Sequence, residues 1–102
     1  SVTVEMIMGL PGDSPDGFWR NYERARQLGT GLRVYHCAVL PSALMARSPV
    51  EHALDYDPVT LKMRSCLGWS RAEMARTVDR LTVAAHGAGG AGGDYFWVFP
   101  PA

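Results

Sequence analysis

The chain has 102 residues, 47% hydrophobic and 20% charged, which suits one small globular domain and excludes a disordered tract. Ten basic and ten acidic residues cancel, so the charge gives no reason to expect nucleic acid or an anionic membrane as partner. Two cysteines are too few for a secreted disulfide scaffold, and no signal peptide or membrane-spanning stretch is visible, so a cytoplasmic setting is expected.

Residues 2–8 form a short, partly β-branched run stopped by Gly9, the pattern of a strand. Apolar residues on both parities near its end fit a strand covered on both faces in a parallel sheet. A turn follows over residues 9–15. Asp13 or Ser14 is placed to cap the next helix, and Pro15 suits its first position. Phe18, Trp19, Tyr22, Ala25 and Leu28 recur at helical spacing, with Gly29 where a C-terminal glycine belongs. Residues 32–40 read as a second strand, stopped by Pro41. Strand, helix and strand with short joints make one βαβ unit, so the two strands are expected to be parallel.

Beyond that unit the pattern changes. Residues 42–47 suit a short helix, 48–54 another turn, 55–58 an irregular stretch, and 59–67 either a strand or an extended loop. Ser70 and Glu73 form a capping-box pattern that opens a helix reaching about residue 86. Residues 87–93 are glycine-rich and read as a flexible link, and 94–99 are a strongly apolar tail ended by Pro100 and Pro101. The division is then a βαβ unit over 1–48, a helical extension over 49–86, and a linker with an aromatic tail over 87–102.

Two strands do not make a stable parallel sheet alone, because such sheets need covering on both faces. The rest of the sheet is therefore expected in the N-terminal part of a longer parent chain or in a second copy. The opening on a strand, with no leader and no initiator methionine, points to a fragment. The aromatic residues Tyr95, Phe96, Trp97 and Phe99 are too many for a small core. They are expected to add a strand to an exposed edge, in cis or from a neighbouring copy, or to hold a partner, with self-association as a consequence.

The segment Gly9-Leu10-Pro11-Gly12-Asp13-Ser14 is the most informative for chemistry. Two glycines and a proline force a tight exit from a strand's C-terminal end, and the helix that follows offers free amides at its positive end. Ligands of α/β sheets bind at that edge. A plain capped turn accounts for the same residues. The glycine spacing and the lack of a following lysine exclude a Walker loop. Cys37 lies in an apolar run and reads as a free buried thiol, and Cys66 is 29 positions away. His36 is either a hydrogen-bonded core histidine or, if it points into a barrel, a substrate contact. His52 and His86 read as surface residues. No two histidines share metal-ligand spacing, so zinc is not expected. Glu5 is a candidate ligand contact or a strand-start ion pair.

The run Glu5-Met6-Ile7-Met8-Gly9-Leu10-Pro11-Gly12-Asp13-Ser14-Pro15 with Phe18 resembles the fifth strand and following turn of radical S-adenosylmethionine enzymes. The cobalamin-binding and anaerobic porphyrin-ring branches, which often read "GLPGDT" there, are the nearest pattern. Val39-Leu40-Pro41-Ser42-Ala43-Leu44 is similar to their sixth strand and its "LPGTxL" exit, with Ser42-Ala43 in place of Gly-Thr. Tyr56-Asp57-Pro58 and Trp69-Ser70-Arg71-Ala72-Glu73 resemble segments after the barrel, so the likeness covers residues 2 to about 85.

The resemblance implies the last third of a partial (β/α)6 TIM-like barrel and a parent enzyme that cleaves S-adenosylmethionine reductively to a 5′-deoxyadenosyl radical, for methyl transfer or oxidation. Its cofactors would be S-adenosylmethionine, a [4Fe–4S] cluster and, in some members, cobalamin. Ile7, Gly9, Leu10, Pro11, Gly12 and Leu40 would line the cofactor pocket, with Glu5, Asp13 and His36 on the substrate side. The family's CxxxCxxC cluster motif does not occur in this sequence, so the isolated chain is expected to be inactive and to need the missing part of its parent. Two other readings stand beside this one. The chain could be a non-catalytic α/β interaction module that self-associates through its tail, or a small enzyme using Asp13 and His36 alone.

Overall fold

The period of two is kept along β1 (Thr3–Met8), where Val4, Met6 and Met8 turn inward while Thr3, Glu5 and Ile7 stay exposed. The computed structural model describes residues 3–38 and 49–102, with only the backbone of residues 49 and 50. The expected short helix over 42–47 lies outside the described residues, as does Leu40. After the turn, α1 (Pro15–Gln27) begins with Ser14 as N-cap, its hydroxyl accepting from the Gly17 amide at 3.1 Å. Pro15 opens the helix and Gly29 follows its end with φ of 71°. Phe18, Tyr22 and Ala25 form the buried stripe of α1.

Strand β2 (Gly31–His36) then pairs parallel to β1, in register from Thr3 opposite Gly31 to Met8 opposite His36. The expected βαβ unit is present. The strand is shorter than the apolar run suggested, because pairing switches partner at its end. The Cys37 carbonyl accepts from the Met63 amide at 2.9 Å, and Ala38 bridges to Lys62.

The segment expected to be a helical extension holds more than helix. A single turn, α2 (Pro49–His52), precedes a two-stranded ribbon of β3 (Asp55–Tyr56) and β4 (Met63–Ser65). Asp57 builds the connecting loop by accepting from the amides of Val59 at 2.8 Å and Thr60 at 3.0 Å. Within residues 59–67 the strand alternative holds over Met63–Ser65, whereas β3 falls in the stretch expected to be irregular, because a strand of two residues carries no measurable period. Helix α3 (Arg71–Gly87) opens on the expected capping box: the Ser70 hydroxyl accepts from the Glu73 amide, and the Glu73 carboxylate from the Ser70 amide.

The glycine-rich segment is structure, not a link. Gly87 ends α3, and β5 (Ala91–Gly92) forms a hairpin with β6 (Phe96–Phe99). A Cβ at Gly92 would overlap the Trp97 indole, and one at Gly90 the Val98 carbonyl, so these glycines allow close approach. The aromatic tail takes the in-cis course: β6 lies antiparallel against β2, with Val34 opposite Trp97 and Leu32 opposite Phe99. The sheet order is β1-β2-β6-β5, a mixed sheet.

Both long helices pack on the face that carries Met8, Leu32, Val34, Trp97 and Phe99. From α3 come Met74, Thr77, Leu81 and Ala85. Tyr22 stands edge-on to Phe99 at 5.5 Å, and Phe18 to Trp69 at 6.2 Å. The expected aromatic cluster of α1 is thus core, with Trp19 half-buried under the Arg80 guanidinium at 3.9 Å. Among the described residues the fold is a small α/β domain with one helix-covered sheet face. The apolar residues of both parities in β1 do not mean two covered faces here, since Ile7 is 46% exposed.

Trp97 is fully buried, and its Nε1–H donates to the Thr82 hydroxyl at 2.9 Å. Trp97→Ala should lower stability by about 3–5 kcal/mol, read as a shifted denaturant midpoint, because both packing and a cavity are involved. Phe96→Ser, on the open face of the same strand, should change stability by less than about 0.5 kcal/mol.

Candidate functional site

At the C-terminal ends of the parallel strands, the Gly9–Ser14 turn leaves β1 through two left-handed glycines, Gly9 at φ 90° and Gly12 at φ 88°. Gly9 is buried, and a Cβ there would come within 2.8 Å of the Met74 sulfur. Its carbonyl accepts from the Cys66 thiol at 3.3 Å. The Gly12 amide donates to the Leu67 carbonyl at 2.9 Å. A tight turn from Cys66 to Trp69, closed by reciprocal backbone bonds of 3.0 Å, therefore sits on the Gly9–Ser14 turn. A Cβ at Gly68 would overlap the Asp13 carbonyl, which shows how closely the two turns meet. Leu10 packs against the core, Pro11 is half-buried, and Asp13 lies over the first turn of α1 beside Gly17. Of these residues, Gly9 and Gly12 already spend polar backbone groups on the domain's own contacts.

The other sequence-singled residues separate by strand parity. Glu5 and Ile7 stand on the uncovered face of the sheet, where the register places Ile7 beside Tyr35 and Tyr35 beside Phe96. The Tyr35 hydroxyl donates to Glu5 Oε2 at 2.9 Å, holding the carboxylate against the sheet. Arg33 is exposed next to Glu5 in the pairing register. This face is a row of half-exposed apolar groups, Ile7, Tyr35 and Phe96, bordered by an acid and a base. Phe96 belongs to the aromatic tail expected to join an exposed edge, whereas Tyr35 is marked in the sequence only by its alternation with Leu32, Val34 and His36, which places it on the opposite face from them.

His36 is on the helix-covered face and is not aimed at the uncovered one. Its ring stacks on Trp97 with centroids 6.3 Å apart, and Nε2 lies 2.6 Å from the Met63 carbonyl. A carbonyl only accepts, so Nε2 carries the proton. Burial pushes the His36 pKa below its ordinary 6.5, against the opposing pull of the Met63 carbonyl, and Lys62 adds to the lowering. Of the two alternatives for His36, the hydrogen-bonded core histidine is the one present. Asp13 and His36 do not meet at one site. His86 is exposed and His52 half-exposed.

Cys37 and Cys66 are both buried and unbridged, flanking Gly9. Burial raises the Cys37 thiol and pushes Cys66 up to about 11, with the neighbouring Cys37 adding to it, so both stay protonated at neutral pH. No group of three or more His, Cys, Asp or Glu among the described residues is arranged to hold a metal ion. No helix among them is long and apolar enough to cross a membrane. Comparison with known proteins finds no matching family model, no matching curated protein and no matching solved structure.

Because the folded state holds His36 neutral, the unfolded chain binds a proton more readily. His36 thus contributes its full stability above pH 6.5, and that share is lost as pH falls below this value toward the depressed folded pKa. Denaturant titrations of wild type across that window should show falling stability. His36→Gln, whose amide can still donate to the Met63 carbonyl, should show a flatter profile.

Proposed function

We propose that this domain is the C-terminal part of a barrel enzyme resembling the radical S-adenosylmethionine family, and that its uncovered sheet face forms one wall of the nucleoside pocket. The observation that supports this is the state of β1. Among the described residues β1 pairs only with β2, and the face carrying Glu5 and Ile7 has no layer over it. A parallel strand in a barrel has neighbours on both edges, and its inner face looks into the lumen. The face away from α1 would then be the lumen face, as helices form the outer ring of such barrels.

On this reading Ile7 and Tyr35 present flat apolar surface to a purine, and Glu5 keeps Oε1 for a hydroxyl or ammonium donor while Tyr35 holds Oε2. Gly9 and Gly12 shape the rim from beneath, since the Gly9 carbonyl and the Gly12 amide are taken by the Cys66–Trp69 turn. Leu10, Pro11 and Asp13 belong to the same rim, and Leu40 lies outside the described residues. His36 is not part of this wall. The cysteines present do not fit a [4Fe–4S] cluster: there are two, both buried and protonated. The cluster and any cobalamin would be held by other parts of the parent.

A second reading uses the same face differently. With Ile7 46% and Phe96 48% exposed on either side of half-exposed Tyr35, a non-catalytic module could self-associate there, by the apolar row that crosses β1, β2 and β6.

The coding sequence upstream of Ser1 should contain CxxxCxxC if the enzyme reading holds. In the protein carrying that sequence, Ile7→Glu should weaken S-adenosylmethionine binding by about tenfold or more in titration calorimetry, with unchanged thermal midpoint. Unaltered affinity would remove Ile7 from the pocket. Gly9→Val is a poorer probe, because the Met74 sulfur and the positive φ make it a folding mutation. Sedimentation of the 102-residue chain separates the second reading: a dimer broken by Ile7→Glu favours self-association.

A further inference from the structure

On the helix-covered side, between α3 and the ends of β2 and β4, lies a cavity of about 380 Å³ that the proposed nucleoside wall does not use. Its walls are unlike its ends. Met63, Met74, Ala75 and Val78 make the sides apolar, and His36 closes the strand side. Arg64 and Arg71 stand at one end and Asp79 at the other. Arg71, Ala75 and Asp79 succeed one another at four-residue steps along α3. The cavity therefore runs along eight residues of helix, roughly 12 Å at 1.5 Å per residue.

The cationic end is organised. Asp55 accepts from Arg64 Nη2 and from Arg71 Nε, each at 2.8 Å, and from the Ser65 hydroxyl at 3.1 Å. One carboxylate thus fixes two guanidinium groups side by side, leaving one net positive charge. Arg64 Nη2 also donates to the Tyr56 carbonyl at 3.1 Å, which pins its orientation. Arg64 Nε is buried with no acceptor among the described residues, an unmet donor beside the cavity. Arg71 gives Nε to Asp55, and among the described residues its two terminal nitrogens have no acceptor.

We propose that this cavity binds a small carboxylic acid with a short apolar body, its carboxylate on Arg64 and Arg71 and its chain or ring along Met74 and Val78. Planar guanidinium forks suit a carboxylate, and an apolar body gains from leaving water. Asp79 limits the apolar length and repels a second acid at the far end. His36, neutral and bound to the Met63 carbonyl, adds no charge to the middle.

Octanoate is a suitable probe, with octanol and acetate as the same body without the acid and the acid without the body. Titration of the 102-residue chain by heteronuclear NMR should show saturable octanoate binding below millimolar concentration, with shifts confined to α3, β4 and the end of β2. Octanol should bind about tenfold more weakly, and acetate not measurably. Arg71→Gln should weaken octanoate about fivefold or more. Ala75→Phe, on the exposed side of α3, should fill the cavity and abolish binding, while Val83→Phe, elsewhere on the helix and 73% exposed, should not. A retained thermal midpoint shows that Ala75→Phe still folds. Absence of octanoate binding, equal affinity for octanol, or full binding by folded Ala75→Phe overturns the proposal.

Discussion

The antiparallel seating of β6 beside β2 is the contact on which the rest of the domain rests. Two parallel strands leave an open edge and too little apolar surface for a stable core. Trp97 and Phe99 close the edge of β2 and place two large rings between the sheet and both helices, where Tyr22 meets Phe99 and Thr82 takes the indole N–H. That seating needs Gly90 and Gly92, because any side chain there would occupy the space of the Val98 carbonyl or the indole. A run with the composition of a flexible linker is thus under tight steric demand.

The turn between β1 and α1 depends on that arrangement in its own way. Its amide and carbonyl groups meet Leu67 and Cys66, and the Met74 side chain of α3 fills the space under Gly9. The Cys66–Trp69 turn and Met74 are close to each other in sequence but more than fifty residues from the Gly9–Ser14 turn that they meet. Two left-handed glycines are needed because the two turns lie backbone to backbone. The polarity at this helix start is partly used up within the domain, through the Gly12 amide on Leu67 and the Gly17 amide on Ser14. On the uncovered face the pairing register puts Ile7, Tyr35 and Phe96 in one row and ties Glu5 to Tyr35.

The two sides of the sheet thus carry different chemistry on adjacent residues. Tyr35 faces outward with Glu5, while His36, one residue on, is stacked on Trp97 and bound to the Met63 carbonyl. The cavity along α3 belongs to the second side and is made by β4 and its ion-paired neighbours Asp55, Arg64 and Arg71. Burial there keeps the histidine neutral and both thiols protonated, which makes this side a place for packing and binding by shape and fixed charge.

Local rules in the sequence were enough for β1, α1, β2 and α3, because caps, helical spacing and the period of two act within a few residues. Ser14, Gly29 and the Ser70–Glu73 box mark helix ends by hydrogen bonds that need no distant partner. The same rules placed Gly9 to Asp13 at a strand's C-terminal edge and made the βαβ strands parallel. Only the tertiary structure decided the rest. The hairpin of β5 and β6 is held by contact with β2, and the β3–β4 ribbon is too short to show a period. The face on which Ile7 and His36 fall follows from which side the helices cover. The cavity with its paired arginines exists because the turn after β4 folds α3 back over it and His36 of β2 closes the strand side, and no spacing in the sequence encodes that meeting.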